Sequence, residues 1–168
     1  MPEADFLATV PLFAEFEPEE LDGLRKSLQS SHFAPGDVIL DEGNANRALH
    51  IVGKGRLRVT RRVTGHDVPL CDLGPGMTFG ELSIIEDGVA SARLTAVTEA
   101  EIYSVSMQAL VEFLRSNPGA GSKFWHAVAV DLRRRILQTN DVVRSYFEVN
   151  RALIDNPTFR EAYAMCNR

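Results

Sequence analysis

The feature that most constrains the fold of this chain is a central segment of short apolar runs separated by glycine-containing turns. The segment extends from about residue 33 to 106, and its spacing is typical of β-strands. Strands are predicted at 37–41, 48–53, 56–63, 68–73, 93–97 and 101–105. Short strands repeated in this way predict a β-barrel or a jelly roll.

Helical periodicity flanks this segment on both sides. Residues 6–30 are predicted to be helical, because leucines recur at helical spacing after Pro18. The helical pattern returns in Gln108–Arg115 and in a long run from about 122 to 147. The predicted fold class is therefore α+β and mainly β, an antiparallel jelly-roll barrel between N-terminal helices and a long C-terminal helix.

These changes of pattern divide the chain into four parts. They are an N-terminal helical lead-in at 1–32, the jelly roll at 33–106, C-terminal helices at 107–148, and a tail at 149–168 with a short helical pattern at Phe159–Met165. A tail of this length is too short to form an independent domain.

One predicted strand, 56–63, alternates between apolar and polar side chains. The apolar set is Leu57, Val59 and Val63, and the polar set is Arg56, Arg58, Thr60 and Arg62. A period of two places these sets on opposite faces, so this strand is expected to have one face in the core and one in water. A turn is predicted to follow at Thr64-Gly65-His66-Asp67.

The long C-terminal helix carries an apolar stripe that needs a cover. The stripe consists of Phe124, Val128, Leu132 and Ile136, and Val143 and Phe147 extend it. A free surface helix would not expose such a face, so the barrel or a second copy of the chain is expected to cover it. Phe124 and Trp125 are expected to be packing residues.

Composition and charge exclude several classes of function. The net charge of −5 disfavours attraction of the whole molecule to nucleic acid or to an anionic membrane. The basic run at 133–135 is offset by Asp131 and Asp141, as expected of a solvated helix face. The sequence has neither a signal-peptide pattern nor an apolar run long enough to span a membrane. Small molecules or proteins are the expected partners.

The cysteines and histidines give no sign of a metal or catalytic site. Cys71 and Cys166 are the two cysteines, and Cys71 lies in an apolar, strand-like run, which favours a reduced, buried thiol in a cytoplasmic protein. The four histidines lack metal-ligand spacing and are expected to be ordinary surface or half-buried residues. Because no residues form a recognisable catalytic set, the chain is predicted not to be an enzyme.

The segment Phe79-Gly80-Glu81-Leu82 has the properties of a phosphate-binding turn. A Gly-Glu-Leu turn that opens a short helix, here predicted at 80–85, offers backbone N–H groups and the positive end of a helix dipole to an anionic oxygen. Glu81 can accept a hydrogen bond from a sugar hydroxyl, and its charge beside a phosphate requires a compensating cation. That cation is expected on the next strand, where Ala90 stands.

Several motifs in order resemble those of one known family, from about residue 10 to about 147. They are Pro11-Leu12-Phe13, Phe33-Ala34-Pro35-Gly36-Asp37-Val38-Ile39 with Glu42-Gly43, Leu49-His50-Ile51-Val52 with Gly55, Leu73-Gly74-Pro75-Gly76, and Phe79-Gly80-Glu81-Leu82. With these motifs the chain resembles the cyclic-nucleotide-binding domains of the catabolite activator protein, protein kinase A regulatory subunits and gated channels. The resemblance implies a jelly roll that holds cyclic AMP or cyclic GMP between this cassette, residues 79–92, and the long helix.

The resemblance implies roles for the cassette residues. It assigns Glu81 to the ribose 2′-hydroxyl, and the N–H groups around Gly80 and Leu82 to the sugar-phosphate. Ser91 matches a small or hydroxyl residue that also touches the phosphate. In the long helix, Thr139 and Asn140 match hydroxyl residues that close over the base, although a solvated polar turn on a dimer helix is an equally good interpretation of them.

The phosphate-binding arginine that the family carries is absent. Counting ten residues on from Gly80 places it at Ala90, and Ser91 and Ala92 match the residues that follow. Arg93 is a candidate substitute, but its odd offset in a strand points its side chain to the other face unless a bulge re-aims it. Loss of an arginine–phosphate contact costs roughly 1.5–3 kcal/mol, or roughly ten- to more than a hundredfold in affinity.

Two hypotheses of function remain open on the sequence. The first is a stand-alone regulatory domain that senses a small anionic ligand, cyclic AMP or cyclic GMP with weakened affinity, and passes the signal through its C-terminal helix. The alternative is a ligand-free scaffold that forms a homodimer or binds another protein through the apolar stripe. The family's transcription factors carry a helix-turn-helix domain after the long helix, and none follows here, so no DNA-binding domain is expected.

Overall fold

The computed structural model of the chain describes part of its length, namely Pro2, residues 4–81 and 88–158, Arg160 and Met165. The chain divides into two compact units, residues 1–128 and 129–168. Two sequence predictions fall largely outside the described residues: the short helix at 80–85 beyond its first two positions, and the helical pattern at Phe159–Met165.

The N-terminal region contains two helices, α1 at Ala4–Ala8 and α2 at Pro18–Arg25. Helix therefore covers only part of the predicted helical region 6–30. Between the two helices the backbone N–H groups of Val10 and Phe13 donate to the carbonyl three residues back, as in tight turns. Pro11, which has no N–H to donate, lies within this stretch.

Eight strands follow among the described residues. They are β1 Gln29–Phe33, β2 Val38–Leu40, β3 Ala48–Lys54, β4 Leu57–Val63, β5 His66–Leu73, β6 Thr78–Phe79, β7 Arg93–Ala96 and β8 Ala100–Ser106. They form two four-stranded antiparallel sheets, in the orders β1-β8-β3-β6 and β2-β7-β4-β5. This arrangement confirms the predicted fold class.

The strands β3, β4, β6, β7 and β8 all contribute to one apolar core. Its buried members are Val52, Leu57, Phe79, Leu94, Ala96, Ala100 and Ile102. Full burial of a valine, leucine, isoleucine or phenylalanine side chain contributes roughly 1.5–3 kcal/mol. Leu94 and Ala96 of β7 belong to this core, so the residues that alternate with them along the strand face outwards.

The hairpin of β4 and β5 departs from its predicted alternation. Leu57 is buried, but Val63 is 47% exposed, so the expectation that Val63 faces the core was wrong. The register of the pair shifts between Val59 and Thr60, which ends the strict period of two before the strand ends. The turn itself is shorter than predicted, because His66 already pairs with Val63 as the first residue of β5.

The strand β5 is the edge of its sheet. Every residue from His66 to Asp72 is exposed, including Val68, Pro69 and Leu70. Cys71 is exposed as well, so the prediction of a buried thiol was wrong. An edge strand contributes less to the core than its apolar sequence suggests.

Two helices follow the strands, α3 at Met107–Ser116 and α4 at Pro118–Asp155. The hydroxyl of Ser106 caps α3 by accepting a hydrogen bond from the Ala109 N–H at 3.2 Å. The long helix is longer at both ends than the predicted 122–147. Within the first unit, Phe124 and Val128 are buried, and the ring of Phe124 stacks on Phe13 with 6.0 Å between the ring centroids.

The second unit contains the rest of α4, whose apolar side chains are largely exposed. The predicted stripe is therefore not one exposed surface: Phe124 and Val128 belong to the core of the first unit, whereas Ile136 is 61% exposed. The large apolar residues that are exposed from Ile136 onward, called here the α4 apolar face, are Ile136, Leu137, Val142, Val143, Tyr146, Phe147, Val149, Leu153 and Ile154.

Two searches of the described residues gave negative results. Among them, no helix combines the length and the apolar character that crossing a membrane requires. Nor does this part of the chain hold a group of three or more histidine, cysteine, aspartate or glutamate side chains arranged to bind a metal ion.

Candidate ligand-binding site

Gly80, near the start of the cassette, has a backbone conformation that only glycine adopts easily. Its φ is +85°, and a Cβ at this position would lie 2.4 Å from both the Ala48 carbonyl oxygen and the Asn46 Nδ2. Both the positive φ and the close approach exclude a larger residue. Gly80 therefore packs directly against Ala48, the first residue of β3, and against Asn46. This packing sets the position of the cassette.

Asn46 is the buried polar residue on which Gly80 rests, with only 5% of its surface exposed. Its Nδ2 donates to the Ala48 carbonyl at 3.0 Å, and its Oδ1 accepts from the Ala48 N–H at 3.3 Å. The Nε2 of His50 also lies 3.0 Å from this Oδ1. Because Oδ1 is an acceptor, His50 must carry its proton on Nε2.

His50 continues this hydrogen-bonded chain to the neighbouring strand of the same sheet. Its Nδ1 lies 2.7 Å from the hydroxyl of Ser104 on β8 and accepts the hydroxyl proton in the Nε2–H tautomer. The imidazole stacks on Phe79 with 4.6 Å between the ring centroids. Burial lowers the pKa of His50 to about 4, so the ring is neutral at pH 7.

The Asn46–His50–Ser104 chain was not found from the sequence, which treated His50 as an ordinary histidine. Asn46 and His50 are four residues apart, a spacing with no special meaning in a strand. Ser104 becomes a partner only because β3 and β8 pair with His50 directly opposite Ser104. The cross-strand register supplies this information, and no local motif does.

Glu81, the residue assigned to the ribose hydroxyl, follows Gly80 and is only 3% exposed. A carboxylate is rarely buried to this degree without a hydrogen-bonding role. Leu82, the next predicted site residue, lies outside the described residues.

The second half of the cassette lies against the segment that precedes β3. The Ala90 N–H donates to the Asn44 carbonyl and the Gly43 N–H donates to the Ala90 carbonyl, each at 2.8 Å. Ala90 and Ala92 are buried, whereas Ser91 between them is exposed. The structure thus brings a methyl group to the position where the resemblance expects an arginine.

Arg93, the candidate substitute cation, is already engaged in an ion pair. Its Nε donates to Asp41 Oδ1 at 2.7 Å and its Nη2 to Asp41 Oδ2 at 3.2 Å, while Nη1 lies 3.8 Å from Asp67 Oδ2. The hydrogen bond from Arg93 is the largest cause that lowers the pKa of Asp41. An incoming phosphate would have to displace this carboxylate.

Thr139 and Asn140, the residues matched to the base contact, belong to the second unit. Both are exposed in α4. The Thr139 hydroxyl donates to the Arg135 carbonyl at 2.9 Å, one turn back along the helix. Backbone bonding of this kind is common for threonine in helices.

Comparison with known proteins identifies the family. Residues 30–117 match the cyclic nucleotide-binding domain, and this chain belongs to that family. It is 30% identical over 131 residues to the CRP-like cAMP-activated global transcriptional regulator of Mycobacterium tuberculosis. That match covers 77% of this chain and 58% of the regulator, so the chain spans little more than half the length of this relative.

Solved structures agree with the family assignment. The N-terminal domain of a transcriptional regulator from Streptomyces coelicolor A3(2) superposes with a TM-score of 0.70 at 31% identity, over 83% of this chain and 95% of that one. The catabolite activator protein of Thermus thermophilus superposes with a TM-score of 0.69 at 29% identity, over 79% of this chain and 63% of that one.

Proposed function

We propose that this chain is a regulatory domain that binds a small anionic ligand in its cassette and transmits binding through its C-terminal helix. A cyclic nucleotide is the proposed ligand, held with lowered affinity. The observation that supports the proposal is the structure at the start of the cassette. Gly80 is held in a left-handed conformation against Asn46 and Ala48, and the next residue, Glu81, is buried.

In this proposal each part of the cassette has a separate task. Glu81 accepts a hydrogen bond from a ribose hydroxyl, because an ionised carboxylate is an acceptor only. Backbone N–H groups at Gly80 and Leu82 and the hydroxyl of Ser91 donate to phosphate oxygens. Ala92 has only a methyl side chain and leaves room beside them.

The lowered affinity follows from the missing cation. At Ala90 a methyl group replaces a guanidinium, and Arg93 is bound to Asp41. Without a charge-assisted contact, a cyclic phosphate loses roughly 1.5–3 kcal/mol of binding free energy. The ribose and base contacts then carry most of the remaining affinity.

Signal transmission requires that the ligand prefer one conformation of the helix. A ligand shifts an equilibrium only by the difference in its affinity for the two states. In the proposal this difference comes from the contacts that the ligand makes with the cassette. The role is non-enzymatic and cytoplasmic, in keeping with the regulatory relatives of the chain.

The substitution Ala90→Arg tests the proposal most directly. We expect it to strengthen cyclic AMP or cyclic GMP binding by roughly ten- to more than a hundredfold, measured by isothermal titration calorimetry. Val89→Arg is the matched control, because it adds the same charge at the exposed neighbouring residue. This control should leave the affinity unchanged.

Thermal unfolding of each variant checks that the added side chain is tolerated, and Ala90→Lys provides a smaller cation at the same position. If folded Ala90→Arg and Ala90→Lys proteins bind no better than wild type, residue 90 does not face the phosphate and the proposed ligand geometry is wrong. Equal gains in the Ala90 and Val89 variants would indicate nonspecific charge attraction instead.

An alternative function is supported by the α4 apolar face. Nine apolar side chains are exposed between Ile136 and Ile154. Such a surface is typical of a helix that packs on a partner. Under this alternative the chain is a scaffold that forms a homodimer through α4, and the cassette has lost its ligand.

A further inference from the structure

The described residues of the cassette form two pieces, 79–81 and 88–92, and Asn46 contacts both of them. In the first piece, a Cβ on Gly80 would lie 2.4 Å from Asn46 Nδ2, so the amide packs directly against this glycine. In the second piece, the Gly88 carbonyl accepts the Asn46 N–H at 3.3 Å. Asn46 therefore joins the beginning of the cassette to its end.

The segment before Asn46 also holds the second piece, but through backbone atoms. The Ala90 N–H donates to the Asn44 carbonyl and the Gly43 N–H donates to the Ala90 carbonyl, each at 2.8 Å. The Asn44 side chain is exposed and takes no part in these two hydrogen bonds. At Asn46, by contrast, the side chain itself makes the contact with the cassette.

The contacts of the Asn46 side chain fix the orientation of its amide. Oδ1 accepts from the Ala48 N–H at 3.3 Å and from the His50 Nε2–H at 3.0 Å, whereas Nδ2 donates to the Ala48 carbonyl at 3.0 Å. The Ser104 hydroxyl holds His50 in this tautomer through Nδ1. Because Asn46 is only 5% exposed, a rotated amide would leave buried polar groups without partners. Nδ2 is therefore kept on the side that faces Gly80.

We propose that Asn46 is a positioning residue of the ligand site, whose side chain, oriented by His50, holds the two ends of the cassette in the arrangement that binds the ligand. The inference rests on the proposed function. Asn46 does not touch the ligand in this proposal. It acts because groups that are already in place lose less conformational freedom when a ligand binds.

Asparagine suits this position because it has a donor and an acceptor on a short side chain. Aspartate would present an acceptor oxygen to the Ala48 carbonyl, where Nδ2 now donates. Alanine would leave the His50 Nε2–H without its partner and would remove the contact with Gly80. These two substitutions therefore disturb the cassette in different ways.

The first test is amide hydrogen exchange of the full chain without ligand. Asn46→Ala should speed exchange of the Ala90 and Gly43 N–H groups about two- to tenfold, because the cassette loses its side-chain support. Amides in β1 and β8 should keep their wild-type rates. Asn44→Ala is the matched control, since it makes the same change two residues away at an exposed side chain. This control should leave the rates unchanged.

The second test checks that residue 46 controls the surroundings of His50. Asn46→Asp places a carboxylate beside the imidazole, which should raise the pKa of His50 from its wild-type value of about 4. Titration of the imidazole signals by NMR measures this change. A pKa that stays at the wild-type value would show that side chain 46 does not contact His50, and would overturn the proposal.

The third test is calorimetric titration with cyclic AMP and cyclic GMP. Asn46→Ala should weaken binding about two- to tenfold, and Asn44→Ala should not change it. If Asn46→Ala does not fold, Ser104→Ala replaces it. This variant removes the support of His50, and it should speed exchange of the Ala90 and Gly43 N–H groups to a smaller extent.

The outcomes separate this inference from the proposed function. Unchanged exchange in Asn46→Ala, or in Ser104→Ala where that variant replaces it, would overturn the inference. An equal acceleration in Asn44→Ala would overturn it as well. Faster exchange with unchanged affinity would remove Asn46 from the ligand site. If the wild type binds neither nucleotide while Asn46→Ala still speeds exchange, the proposed function fails and the attachment of both cassette ends by Asn46 stands.

Discussion

At the scale of single residues, the molecule carries a neutral histidine beneath its candidate site. His50 links Asn46 to Ser104, and Asn46 packs directly on Gly80. Both imidazole nitrogens have a neutral partner, and no carboxylate among these contacts stabilises a charged ring. Protonation of His50 therefore brings a desolvation cost with no compensating ion pair.

This cost predicts a specific dependence of stability on pH. The pKa of His50 is about 4 in the folded chain against an ordinary value of 6.5, so the unfolded state binds more protons between these values. The stabilisation is complete above pH 6.5 and is lost as the pH falls towards 4. From pH 7 to 4.5 the wild type should lose about 2–3 kcal/mol more of its free energy of unfolding than His50→Gln does.

Urea unfolding at the two pH values measures this difference. Carboxylate titration affects both proteins equally, so the comparison isolates His50. Parallel stability curves for wild type and His50→Gln would show that the ring is not buried as the structure places it.

The candidate site could be predicted from the sequence only in part. Gly80, Glu81 and Ala90 were identifiable because an ordered set of motifs locates them along the chain. Asn46 and His50 were not, since their contacts come from which strands lie side by side. The ion pair of Arg93 could not be predicted either, because its partner Asp41 is 52 residues earlier in the chain.

At the scale of elements, the strands with apolar alternation were predicted within a few residues, and two strands were missed. The sequence of β1 is Gln-Ser-Ser-His-Phe, and its first four residues are exposed, so it lacks the apolar pattern that marks a strand. The strand β6 has two residues, too few to form a pattern. Pairing with β8 and β3 creates both strands.

The turn between β4 and β5 offers a stabilising substitution. Thr64 and Gly65 have φ of +48° and +87°, as in a type I′ turn, which favours asparagine followed by glycine. A β-branched residue is strained at the first position. Thr64→Asn should raise the free energy of unfolding by about 0.5–1 kcal/mol in chemical denaturation, while Thr64→Val should not. A loss of stability in Thr64→Asn would contradict the turn type.

At the scale of the whole molecule, the two units differ in how they bury apolar side chains. The first unit has an apolar core of its own, whereas the large apolar side chains of the second are mostly exposed. The α4 apolar face is exposed over five turns, with Tyr146 and Phe147 both more than 60% exposed. Its opposite side carries ion pairs within the helix, Arg144 with Glu148 and Arg151 with Asp155. A helix with such a division of its surface is more stable when a second apolar surface covers it.

Self-association through α4 can be tested with one substitution and one control. If a second copy provides the cover, Phe147→Asp should convert a dimer to a monomer in sedimentation velocity, because it places a charge in the apolar face. Arg144→Asp introduces the same carboxylate three residues away, on the side with the ion pairs, and should leave the dimer intact. A wild-type protein that sediments as a monomer at high concentration would exclude the homodimer.

The edge strand β5 has a consequence for the behaviour of the protein in solution. An open strand edge with exposed Val68 and Leu70 is a template on which strands of other molecules can add, the first step of aggregation. Pro69 lies between these two residues and has no N–H to offer an added strand. The row of hydrogen bonds needed for a continuous intermolecular sheet is therefore interrupted at its most apolar point, which favours a protein that stays dispersed when concentrated.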